Sequence, residues 1–171
     1  MDALQYLGPT EWMAIEVAVL VVVLAILFRW SGVVRYIPND RLGILEKLWS
    51  FRGSVSNGFI ALNREAGYQP EVVRGGVHFF MPFQYSMHRA NLVTIPQGQI
   101  GYVFARDGKP LPPTQTLASN TDADDFQDVR GFLEKGGQKG PQRKILREGT
   151  YAINLAQFIV LTAQSIYAVN L

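Results

Sequence analysis

Twelve consecutive residues, Val17 to Phe28, carry no polar side chain. Bounded by Trp12 and Trp30, the apolar segment is 19 residues long. As a helix rising ~1.5 Å per residue it spans about 28 Å, close to the ~30 Å hydrocarbon core of a bilayer. Trp12 and Trp30 stand where interfacial aromatics belong. A core helix rarely stays apolar on every face. A signal peptide wants a basic leading region, and here Asp2 and Glu11 precede the run with no Lys or Arg. Leu27-Phe28-Arg29-Trp30 is also too bulky for a small-residue cleavage site. The segment 12–30 therefore reads as an uncleaved transmembrane helix, anchored by Trp12, Val17, Leu20, Leu24, Phe28 and Trp30, after a short extracytoplasmic stretch, 1–11.

Flanking charge sets an expected orientation. Arg29, Arg35, Arg41, Lys47 and Arg52 all follow the span. The positive-inside rule puts that side in the cytoplasm. Glu16, in the first turn of the span, can snorkel to the outer interface.

The rest of the chain divides further. Tyr36-Ile37-Pro38-Asn39-Asp40-Arg41-Leu42-Gly43-Ile44-Leu45 aligns with Thr94-Ile95-Pro96-Gln97-Gly98-Gln99-Ile100-Gly101-Tyr102-Val103 at an offset of 58. Downstream, Val73-Arg74-Gly75-Gly76-Val77-His78-Phe79-Phe80 can be set against Leu146-Arg147-Glu148-Gly149-Thr150-Tyr151-Ala152-Ile153 at an offset of 73. The pairs recur in the same order, which predicts an internal duplication into units 33–93 and 94–171. Pro38 and Pro96 precede apolar runs, as where a chain enters a strand. Ile100–Phe104, Gly58–Leu62, Gly76–Met81 and Lys144–Val169 read as strand-rich, while Leu42–Trp49 fits helix or strand. Asp122–Lys135 reads as one short helix, with Asp122 as N-cap, Phe126, Val129, Phe132 and Leu133 on one face, and Gly136-Gly137 as its stop. The expected fold class is α+β: a single transmembrane helix, then a β-rich body.

Chemistry is sparse. With no cysteine, disulfides, thiol nucleophiles and Cys-ligated metals are excluded. Two histidines, His78 and His88, read as packed or surface residues. Asp122, Asp124, Asp125 and Asp128 resemble a cation loop, but Phe126 and Gln127 stand where an oxygen ligand and Gly are needed. The loop Gly136–Pro141 lacks the Gly-Lys-Ser/Thr ending of a phosphate loop. The 16 Lys+Arg against 14 Asp+Glu, net +2, are spread along the chain and argue against nucleic acid as a partner. No catalytic, metal or cofactor residue is assigned. Val77–Met87 carries three Phe, one Tyr and two Met. It fits a core strand; the alternative is a surface patch in the headgroup layer, with Phe79, Phe80, Met81, Phe83 and Tyr85 as lipid contacts.

The anchor, then Ile-Pro-x4-Gly-Ile at 37–44, then Arg-Gly-Gly-Val-His-Phe-Phe-Met-Pro-Phe at 74–83, resembles the SPFH or Band 7 superfamily of stomatins, prohibitins and flotillins. Thr94–Gly108, Asn120–Leu133 and Arg143–Asn154 are similar to bacterial flotillin-like inner-membrane proteins. The resemblance implies a scaffold, not a catalyst. It would organise membrane microdomains and self-associate, with the lipid bilayer and membrane proteins as partners. It implies a bacterial inner-membrane location, N-terminus out and C-terminal domain cytoplasmic. A regulator of a membrane protease and a membrane-tethered hydrolase are the alternatives. The family's heptad stalk does not follow within the 171 residues, so the expectation is a fragment or a short form.

Overall fold

The computed structural model describes residues 8–169. It is an α+β chain with an apolar helix leading into a β-rich body. Helix α1 (Pro9–Trp30) starts three residues before Trp12, with Pro9 in its first turn, where a missing N–H is harmless. The Glu11 carboxylate accepts from the Gly8 N–H at 3.1 Å. Ser31 closes the helix, its N–H on Leu27 O at 2.9 Å. No residue of α1 is buried, so α1 is not a core helix of the body. It is long and apolar enough to cross a membrane. The stretch 1–11 lies mostly outside the described residues.

The body is built from short antiparallel strands. β1 (Val34–Ile37) pairs with β4 (Gly76–Phe79) as a two-stranded ribbon. β2 (Arg41–Lys47) is the centre of a sheet between β3 (Gly67–Val73) and β5 (Tyr85–Asn91). A second ribbon joins β6 (Val93–Ile95) to β9 (Gly149–Tyr151). The last sheet runs in the order β11 (Ile166–Tyr167), β10 (Phe158–Leu161), β7 (Tyr102–Ala105), β8 (Gly140–Pro141).

The partner relations recur at fixed intervals. Ile37 faces Gly76, and Ile95 faces Gly149. Lys47 faces Gly67 on one side and Tyr85 on the other; Ala105 faces Gly140 and Phe158. Gly43 faces Val73, and Gly101 bridges Leu146. In each case the first partner moves by 58 and the second by 73. The glycines recur for one steric reason. A Cβ on Gly43 would meet Ile37 Cδ1 at 2.8 Å and Met87 Sδ at 2.9 Å; on Gly101 it would meet Ile95 Cδ1 at 2.7 Å and Val160 Cγ1 at 3.3 Å.

One continuous core spans both halves. Leu42, Ile44 and Ala90 join Val93, Ile95, Val103, Phe132 and Phe158 in it. Polar ties cross the same seam. Buried Asn154 donates through Nδ2 to Gln69 O at 3.0 Å and Pro70 O at 3.1 Å. Asp107 Oδ2 accepts from the Phe59 N–H at 3.1 Å.

The helix expected over 122–135 is shorter: α2 covers only Val129–Glu134. Asp128, not Asp122, caps it, its Oδ1 accepting from the Gly131 N–H at 2.8 Å. Asp124, Asp125 and Phe126 are left-handed, with φ of 47°, 51° and 65°. Each such residue costs about 1–2 kcal/mol. Burial of the Phe126 ring against Phe158, centroids 5.2 Å apart, offsets this and overrides helix periodicity. Gly136, at φ 83°, ends the helix as expected. Leu42–Trp49 resolves as a strand through Lys47, while Gly58–Leu62 forms only an isolated bridge, Ile60 to Tyr68.

Candidate functional site

The chain leaves α1 at Trp30 and enters β1 at Val34. Before β1 begins, Val33 O already accepts the Phe80 N–H at 2.8 Å. Val33 is the third residue after Trp30, so the Phe79–Phe83 loop is fastened within about 10 Å of the helix end.

Strand alternation then sorts the ribbon's side chains. Val34 lies opposite Phe79 and Tyr36 opposite Val77, and all four are exposed. Arg35 and His78 take the other face. Met81 and Phe83 extend the apolar face into the loop; Phe79 and Phe83 are 73% and 76% exposed. This departs from the core-strand reading over Val77–Phe83, where Val77, Phe79, Met81 and Phe83 are exposed, while Tyr85–Met87 lie half-buried in β5. Phe80 and Tyr85 are half-buried and contact each other, centroids 5.8 Å apart.

A second segment adds to the surface. Trp49 Nε1 donates to Phe83 O at 3.2 Å, and Phe51 sits edge-on to Trp49 at 5.5 Å. Leu48, Trp49 and Phe51 are exposed. Reading the sequence missed them, together with Val34, Tyr36 and Val77 as exposed residues. The alternation Val34-x-Tyr36 facing Val77-x-Phe79 carried the signal, but only the pairing register puts the four on one face.

Positions 73 further along the chain are packed differently. Residues 73 on from Phe79–Tyr85 are Ala152 to Phe158, and all seven are buried. Large exposed apolar groups beside the helix exit correspond to small or enclosed ones inside the body. The anchor residues Trp12, Val17, Leu20, Leu24, Phe28 and Trp30 are all exposed along α1.

Behind the loop lies a cavity of about 550 Å3, with Leu45, Phe80 and Tyr85 on its apolar side. Lys47, Arg64, Glu71 and Arg130 supply its charge. Arg130 reaches Glu71 at 2.7 Å and Glu134 at 3.5 Å. The hydrogen bond that Arg130 donates to Glu71 raises the guanidinium's pKa further above its ordinary value. Burial, helped by the Glu46 charge, raises that of Tyr68.

The other sequence candidates disperse. His78 Nε2 lies 2.8 Å from Arg74 O, and His88 Nε2 2.9 Å from Glu46 Oε2. Asp125 pairs with Lys144 at 2.7 Å, and Asp122 faces Lys135 at 3.9 Å. Among the described residues no three His, Cys, Asp or Glu converge as metal ligands do. No family model, curated protein or solved structure matches the chain.

Proposed function

We propose that the chain is a membrane-anchored scaffold of the flotillin-like SPFH type, built from two copies of one unit and without catalytic function. In this reading α1 spans a bacterial inner membrane, the body is cytoplasmic, and the Phe79–Phe83 loop lies in the headgroup layer. One observation carries the reading. An exposed aromatic loop of the body is hydrogen-bonded to the chain three residues past the end of its apolar helix. Apolar side chains so placed gain free energy by leaving water for the bilayer interface. The recurrence of partners at offsets of 58 and 73 supports the duplication. Self-association has a surface away from the loop. Tyr102 and Leu161 are exposed on the second sheet, whereas Ile44, at the position equivalent to Tyr102, is buried in the core.

Trp49 reports on the loop because its indole donates to Phe83 O. The chain has three tryptophans. With Trp12→Phe and Trp30→Phe, the full chain in vesicles of lipids brominated near the headgroup is expected to show quenched Trp49 emission. Unquenched emission removes the membrane-facing loop. A topology reporter that puts the body outside the cytoplasm overturns the orientation and favours the protease-regulator reading.

A further inference from the structure

We propose that the cavity behind the Phe79–Phe83 loop binds the phosphate headgroup of an anionic phospholipid. The proposal rests on the membrane-facing reading of that loop and adds a ligand to it.

In the second half the wall formed by Val103, Ala105 and Phe158 is sealed. Phe126 and Phe132 close over Phe158 with centroids at 5.2 and 5.1 Å. The same wall in the first half is Leu45, Lys47 and Tyr85. The stretch between β2 and β3 contains no helix to cover it, and the cavity of about 550 Å3 remains. Where the sealed wall has buried Ala105, the open one has Lys47.

The charge left in the cavity is positive. Glu71 and Glu134 meet the charge of Arg130. Among the described residues Lys47 and Arg64 have no carboxylate partner. Arg64 is left-handed, with φ of 64°. Two side chains hold it so: Lys47 Nζ donates to Arg64 O at 2.9 Å and Ser50 Oγ donates to it at 2.8 Å. A strained residue fixed by two donors is a feature of ligand sites. Phosphate oxygens suit a guanidinium without a carboxylate partner, and the Lys47 ammonium, already donating to Arg64 O, adds positive charge beside it. Phe80, Met81 and Tyr85 beside them suit the first acyl carbons, which a soluble phosphate lacks. The Phe80–Val33 hydrogen bond holds this mouth near the end of α1, at headgroup depth.

The test uses the full chain in detergent micelles with added phosphatidylglycerol or phosphatidylcholine, and native mass spectrometry counts the retained lipids. Wild type is expected to retain phosphatidylglycerol preferentially. Arg64→Gln is expected to lower that preference about fivefold, and Arg64→Lys to keep most of it. Equal retention of the two lipids, or an unchanged preference in Arg64→Gln, overturns the site. Glycerol phosphate at millimolar concentration is the soluble competitor. If it displaces the lipid fully, the ligand is a free phosphate and the lipid assignment falls. Failure here with Trp49 still quenched by brominated lipid removes only the headgroup site. An unquenched Trp49 removes the membrane-facing loop itself.

Discussion

Asn154 has no exposed surface, and its amide is one of the polar links between the halves. Asn154→Ala leaves the Gln69 and Pro70 carbonyls without that donor. It is expected to lower stability by about 3 kcal/mol in urea denaturation of the detergent-solubilised chain. The two glycines at the ribbon–sheet junctions separate by neighbour type. The atoms crowding Gly43 are flexible ends of Ile37 and Met87, whereas Gly101 also faces the stiff, β-branched Val160. Gly43→Ala and Gly101→Ala are both expected to lower stability, Gly101→Ala the more, by about 1–2 kcal/mol in the same measurement. Tyr68 adds a pH effect. Its folded pKa is raised, chiefly by burial, so the neutral phenol's contribution is intact below pH 10.0. That contribution is lost as pH rises through the folded value. Tyr68→Phe is expected to flatten the alkaline fall in melting temperature; an unchanged slope refutes the assignment.

At the scale of elements, α1 was the most legible. Its apolar run, Pro9 and Trp30 all agree with a helix that no periodicity argument could confuse with a strand. The paired Ile-Pro and Gly segments were legible too, because a close Ile–Gly contact constrains residue type at both ends. α2 was legible only in its core, Val129 to Glu134. Three left-handed residues before it answer to Phe158, far away in sequence, and local pattern cannot register that. The exposed face of the ribbon was half legible. Phe79, Phe80, Met81, Phe83 and Tyr85 stood out by composition, but Val34, Tyr36 and Trp49 join them only through pairing and a hydrogen bond. Phe126→Gly tests the balance in this element. It relieves the left-handed strain but removes the ring that covers Phe158, and the packing loss of about 3–5 kcal/mol is expected to win in thermal denaturation.

At the scale of the whole molecule, the halves are alike in pairing and unlike in what covers them. The second half spends its longer insertion, with α2, on sealing its own wall. The first half leaves the equivalent wall open beside the helix exit. The exposed Tyr102 and Leu161 form another open face. Tyr102→Lys with Leu161→Lys is expected to reduce the assembly's mass in detergent, read by light scattering. The melting temperature is expected to stay close to wild type, since neither side chain is buried. An unchanged mass removes this face from self-association.

Only Ser31, Gly32 and Val33 separate the last helical residue from a paired strand. Such a joint is a coupling, not a tether. A helix advances by about 100° per residue, so its phase about its own axis is handed directly to the ribbon. One residue inserted before Trp30 would turn the apolar face by more than a quarter of a circle relative to the span. The same residue added beside Gly32 would be absorbed as slack. Rotation of α1 about its own axis would therefore be passed to the ribbon as a key passes the turn of its stem, without any change in the helix's length.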